Sequence, residues 1–135
     1  MPAAAAQQSG VVRHLSGGAL VLEDNMIIAM DAADMLTQLG AEKVETCSGV
    51  TTALNLLAQG GTQFVLADMN LGSETSLPVV EKCRELGIPV VLATGYGETE
   101  DVITRFPGLK ILKKPYTVEQ LSGVLEAMAP AGGGG

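Results

Sequence analysis

The sequence predicts an α/β domain built on a doubly wound parallel sheet. Three observations carry that prediction. From residue 19 onward, five short apolar runs alternate with segments of helical periodicity. Most of these runs are continuously apolar rather than alternating, as strands covered on both faces are. Polar residues collect where the runs end, at the edge where open parallel sheets place a ligand crevice.

The first run, Ala19-Leu20-Val21-Leu22, stops at Glu23-Asp24. From Asn25 to Leu39, the residues Ile28, Ala32, Met35, Leu36 and Leu39 keep one helical face, with Asp24 or Asn25 to cap its start and Gly40 past its end. Lys43 to Cys47 reads as a second strand, polar enough to lie at an edge. Val50, Ala53, Leu54 and Leu57 form the next helical face, closed by Gly60-Gly61. Phe64-Val65-Leu66-Ala67 then runs into Asp68, with Asn70 and Gly72 as turn residues behind it. A third helix carries Val79, Val80, Cys83 and Leu86, with Pro78 in its first turn and Gly87 after it. Ile88 to Ala93 is a fourth strand ending at Thr94, a weak short helix is expected near 100–105, and Leu109 to Leu112 is a fifth strand. Thr117-Val118-Glu119-Gln120 has the form of a capping box, and Val118, Leu121, Leu125 and Met128 face the core behind it. Met26, Met30, Met35 and Met128 are read as helix-face packing.

These units make one domain over residues 19–129, flanked by tails at 1–18 and 130–135 that read as flexible from their Ala, Gln, Ser and Gly content. His14 lies in the first tail with no partner residues around it. The net charge of −7, with only 8 Lys and Arg, argues against a nucleic-acid partner. No run approaches the ~20 apolar residues of a membrane span, and Met1-Pro2-Ala3-Ala4 does not open a secretory signal. Cys47 and Cys83 lack metal or redox spacing and read as reduced thiols, so the chain is expected to be cytoplasmic.

Strand ends of a parallel sheet share one edge, so Glu23, Asp24, Asp68, Thr94 and Lys114 converge although far apart in sequence. Crowded carboxylates raise one another's pKa unless a cation joins them. Mg2+ suits this all-oxygen set, and the Asn70 carbonyl can add an oxygen to Glu23, Asp24 and Asp68. Carboxylates, a metal, a hydroxyl and an ammonium suit phosphoryl transfer, in which catalysis is mostly positioning and charge neutralisation. Asp68 would be the nucleophile, Thr94 a hydrogen-bond donor to the phosphoryl group and Lys114 its point charge. An EF-hand does not fit, because Gly72 stands one place early and Pro78 occupies the later half of the loop. A phosphatase with a DxD pair on its first strand does not fit either, since the candidate nucleophile is on the third strand and position 70 is Asn.

The set Glu23-Asp24, Asp68, Thr94 and Lys114-Pro115-Tyr116 resembles the receiver domain of two-component response regulators, over about residues 19 to 129. The resemblance implies the CheY-like, flavodoxin-like sheet order 2-1-3-4-5 with five helices, the fourth short or irregular here. It implies phosphorylation of Asp68 by a histidine kinase or phosphotransfer protein, Mg2+ on Glu23, Asp24, Asp68 and Asn70, and a cis Lys114-Pro115 bond. Pro89 to Tyr96 is similar to the PFxFATG[GY] signature of single-domain receivers, typical of alphaproteobacteria and their general stress response, although Val90 and Leu92 replace its phenylalanines. Most receivers carry an aromatic switch residue three places before the lysine. Ile111 stands there, and Tyr96 or its loop is expected to take the role. The implied product is a monomeric switch, not a turnover enzyme, signalling to a protein partner through about 98–128 or relaying the phosphoryl group. A pseudo-receiver that binds partners unphosphorylated, and a receiver cut from a hybrid kinase, remain the alternatives.

Overall fold

The structure, a computed structural model, describes residues 14–95, 102 and 104–128. In chain order these form β1 (Gly18–Leu22), α1 (Met26–Gln38), β2 (Lys43–Cys47), α2 (Val50–Gln59), β3 (Thr62–Asp68), α3 (Leu77–Leu86), β4 (Val90–Thr94), β5 (Lys110–Lys113) and α4 (Val118–Met128). The strands make one sheet in the order β2-β1-β3-β4-β5, with every pairing parallel. Among the described residues there are four such helices. Of the short helix expected near 100–105, Val102, Thr104 and Arg105 are helical, and its other residues lie outside the described ones. No helix among the described residues is long and apolar enough to cross a membrane.

The sheet splits the core into two layers by the alternation of side chains along each strand. Leu20, Leu22, Val65, Ala67, Val90 and Leu92 meet α2, α3, Val102 and Phe106 on one face. Ala19, Val21, Phe64, Leu66, Val91 and Leu112 meet α1 and α4 on the other. That two-sided burial is why the runs lack polar alternation, and why β2, at the edge, is the polar strand. Asn25 caps α1 by accepting the Ile27 and Ile28 N–H groups at 3.0 and 3.1 Å. The capping box of α4 is reciprocal: Gln120 N donates to Thr117 Oγ1 at 3.1 Å, and Thr117 N donates to Gln120 Oε1 at 2.9 Å.

Two expectations are corrected. Helix α1 turns Ala29, Ala32 and Leu36 to the sheet, leaving Ile28 and Met35 half-buried. The two alanines let the helix lie close, and this rotation carries Met26 and Met30 outward, at 76% and 61% exposure, rather than into packing. Leu86, placed with Val79, Val80 and Cys83 on the apolar spacing of its helix, is 50% exposed, because α3 ends there and Gly87 turns the chain away in a left-handed conformation. The described part of the N-terminal segment, from His14, lies against the domain. His14 N and Leu15 N both donate to the Leu39 carbonyl at 2.7 and 2.8 Å, and His14 Nε2 sits 2.9 Å from Ser122 Oγ on α4. Cys47 and Cys83 are free thiols.

Candidate functional site

The register of the sheet assembles the site. Leu22 pairs with Ala67, so Glu23, one residue on, comes level with Asp68, and Asp68 itself pairs with Ala93. Beyond the paired residues the strands still track each other: Glu23 N donates to Cys47 O at 2.9 Å and Lys114 N donates to Thr94 O at 2.8 Å. Glu23, Asp68 and Lys114 continue the alternation of Val21, Leu66 and Leu112, the residues that face α1 and α4. Adjacent strands lie about 4.8 Å apart, so side chains at one level on neighbouring strands must meet.

They do meet. Carboxylate oxygens of Glu23, Asp24 and Asp68 all lie within 4.8 Å of one another. Glu23 and Asp68 are buried, at 7% and 5% exposure, and Asp24 is exposed at the rim. Lys114 Nζ donates to Asp68 Oδ2 at 2.9 Å and lies 3.7 Å from Glu23 Oε1. Burial pushes the Glu23 carboxyl up to about 7, and the Asp68 charge adds to this, against the Asn25 N–H at 3.0 Å and the Lys114 ammonium. Burial works against the Lys114 charge, but the Asp68 hydrogen bond and the surrounding carboxylates outweigh it and raise its pKa. The Tyr116 phenol is pushed up to about 12 by burial, then by Glu23, Asp68 and Asp31.

Thr94 is fully buried at the end of β4. Asn70 N donates to Asp68 Oδ1 at 3.4 Å, and the Asn70 side chain accepts Gly72 N at 2.9 Å, which holds the backbone beyond Asp68 in a turn. The Lys114-Pro115 bond is cis. Ile111 is half-buried and packs into the α2–α3 layer, away from the carboxylates. Tyr96 lies outside the described residues. Sequence reasoning gave Glu74 no partner, and its Oε2 accepts the Val50 N–H at 3.0 Å across 24 residues of chain; no local pattern marks such a contact.

The donor set fits a hard divalent cation. All of it is oxygen, and three carboxylates within 4.8 Å of one another share one ammonium, an excess of negative charge that a cation would offset.

A parallel 2-1-3-4-5 sheet with an acidic trio and a lysine on its carboxyl edge defines the flavodoxin-like receiver class. The family model of the response regulator receiver domain matches residues 19–126, and the chain belongs to that family. SdrG from Sphingomonas melonis Fr1 is similar at 36% identity, with 85% of this chain and 97% of that one covered and a TM-score of 0.69. A response regulator receiver protein from Sinorhizobium medicae WSM419 is similar at 27% identity, covering 83% and 96%, with a TM-score of 0.70. The PhyR receiver domain of Erythrobacter litoralis shares the fold at 24% identity, covering 83% and 88%, with a TM-score of 0.72.

Proposed function

We propose that the chain is a phosphorylation-controlled switch in which Asp68 accepts a phosphoryl group from a phosphohistidine on a histidine kinase or phosphotransfer protein. The observation that carries this reading is the Lys114 Nζ contact with Asp68 at 2.9 Å inside a trio of carboxylates within 4.8 Å of one another. A carboxylate oxygen of Asp68 attacks phosphorus, the phosphorus–nitrogen bond of the donor breaks, and the released imidazole nitrogen takes up a proton from water. Lys114 shifts its pairing from the carboxylate to the phosphoryl oxygens, and Thr94 donates a hydrogen bond to them. Glu23, Asp24, Asp68 and the Asn70 carbonyl would hold Mg2+, which supplies neutralisation of the phosphoryl charge when bound. The acyl phosphate adds about −1.5 to −2 charges, by analogy with phosphohydroxyl groups. It shifts an equilibrium only as far as one state binds it better.

A protein donor is supported by the apolar surface beside the site. Met26, Ile27 and Met30 stand exposed on α1, which begins just after Glu23-Asp24. Clustered exposed apolar residues mark protein contacts, and methionines adapt to a partner's shape. Output is assigned to the region 98–128, whose described elements include β5 and α4, by protein contact or phosphoryl relay. The PFxFATG[GY]-like stretch supports a place in a general stress response.

The test is an NMR titration with Mg2+ and then beryllofluoride, on wild type and Asp68→Asn. Shifts at Asp68, Thr94 and Lys114 that spread to β5 and α4, and vanish in the variant, are expected. Mg2+ shifts with no beryllofluoride response would sink the phosphorylation reading and leave a pseudo-receiver.

A further inference from the structure

We propose that Glu74 is a positioning residue for the cation pocket, clamping the loop that carries Asn70 to the amino end of α2. The inference rests on the site reading above and deepens it. The β3–α3 loop closes on itself as a unit. Leu71 N donates to Glu74 O at 2.9 Å, Ser76 N to Met69 O at 3.1 Å, and Asn70 bridges Thr75. Its inner end is fixed, because Met69 N donates to Ala93 O at 2.8 Å and Leu71 is buried. Its outer end is tied to another element through the Glu74 side chain, which accepts the Val50 N–H at 3.0 Å.

Helix α2 is built to receive that tie. Its cap residue is Gly49, and no side-chain hydrogen bond from the cap serves the helix. The first N–H groups of a helix have no partner within it, and its amino end favours negative charge. A Cβ on Gly49 would lie 3.4 Å from Glu74 Oε2, which places the carboxylate in van der Waals reach of the cap. On the other side the loop abuts the pocket: a Cβ on Gly72 would come within 3.6 Å of Asp24 Oδ2. The unit that offers the Asn70 carbonyl is therefore gripped between the acidic pocket and α2, and releasing Glu74 frees one side of it.

Partners that orient metal ligands typically matter about 10–100-fold in affinity. The experiment is a Mg2+ titration of the full chain, followed by amide shifts around Asp68. Glu74→Ala should weaken Mg2+ by about 10-fold, at the low end of that range. Glu74→Gln keeps an acceptor oxygen without the charge and should restore binding to within about 3-fold of wild type, because here the hydrogen bond does the positioning. Val50→Pro removes the donor and leaves every carboxylate in place. Proline suits the first helical position, and Gly49, extended at φ −139° and ψ 159°, suits the residue before it. This variant should weaken Mg2+ as Glu74→Ala does, and it serves if the alanine variant fails to fold. Wild-type affinity in both Glu74→Ala and Val50→Pro overturns the inference. So does a Gln variant as weak as Ala, which would make Glu74 a remote charge. A wild type that binds no Mg2+ would instead overturn the site reading itself.

Discussion

At the scale of the residue, the site gathers more acids than bases. Two buried carboxylates, Glu23 and Asp68, share one ammonium, Lys114. Burial pushes the Glu23 carboxyl up to about 7 in the folded chain against an ordinary value of 4.5, and one cation shared between two acids does not offset it. A raised carboxyl pKa means that the folded state holds the proton more tightly than the unfolded one. This contribution to stability is complete below about pH 4.5 and is lost as pH rises through about 7. The full shift amounts to roughly 3 kcal/mol as an upper bound. Glu23→Gln stays neutral and keeps an acceptor for Asn25 N. In metal-free buffer its melting temperature should therefore gain on wild type between pH 5 and pH 8. A gap that does not change with pH would refute the burial argument. Added Mg2+ should narrow the gap at pH 8, by stabilising wild type more than the variant.

At the scale of the element, what was legible in the sequence was what repeats locally. The four long helices and five strands follow from apolar spacing, and the capping box at Thr117 was readable because both halves lie within one turn. Thr117→Ala removes the acceptor for Gln120 N and should cost about 1 kcal/mol in chemical denaturation. Rotation about a helix axis is less legible. Placing Ala29 rather than Met30 toward the sheet depends on how closely α1 can approach, which periodicity alone does not encode. Docking of a segment through its backbone is less legible still. His14 and Leu15 are held by the Leu39 carbonyl, and the signal lies in Gly40 rather than in them. Gly40 has φ +116°, and a Cβ there would collide with the Leu15 carbonyl oxygen. Gly40→Ala should cost roughly 1–3 kcal/mol. If the domain sheds the segment instead of straining, amide exchange at His14 and Leu15 should quicken while the protection of β1 and β3 persists. Unchanged exchange and stability together would contradict the packing.

At the scale of the whole molecule, the site was more legible than the surfaces that serve it. Glu23, Asp24, Asp68 and Lys114 converge because strand order and register leave them no other place, so a sequence that reveals its strands reveals their common edge. Glu74 escaped because its partner is set by the path of a loop. The apolar patch on α1 escaped because its residues, read as a helix face, belong equally well inside. That patch separates two routes to the same acyl phosphate. On the proposed function, a protein donor seated on α1 covers Met26, Ile27 and Met30 as its phosphohistidine reaches Asp68, whereas a small donor such as acetyl phosphate needs only the pocket. Ile27→Glu and Met30→Glu replace exposed side chains, so each should move stability by no more than about 0.5 kcal/mol. Placing a charge where a partner buries apolar surface should slow transfer from the protein donor by about 10-fold, the effect of a loss of roughly 1.4 kcal/mol. Labelling of Asp68 by acetyl phosphate should be unaffected. If both routes slow together, the substitutions have disturbed the site and the patch is not the donor's seat. If neither slows, the donor approaches over another face, and the exposed methionines are left for a different partner.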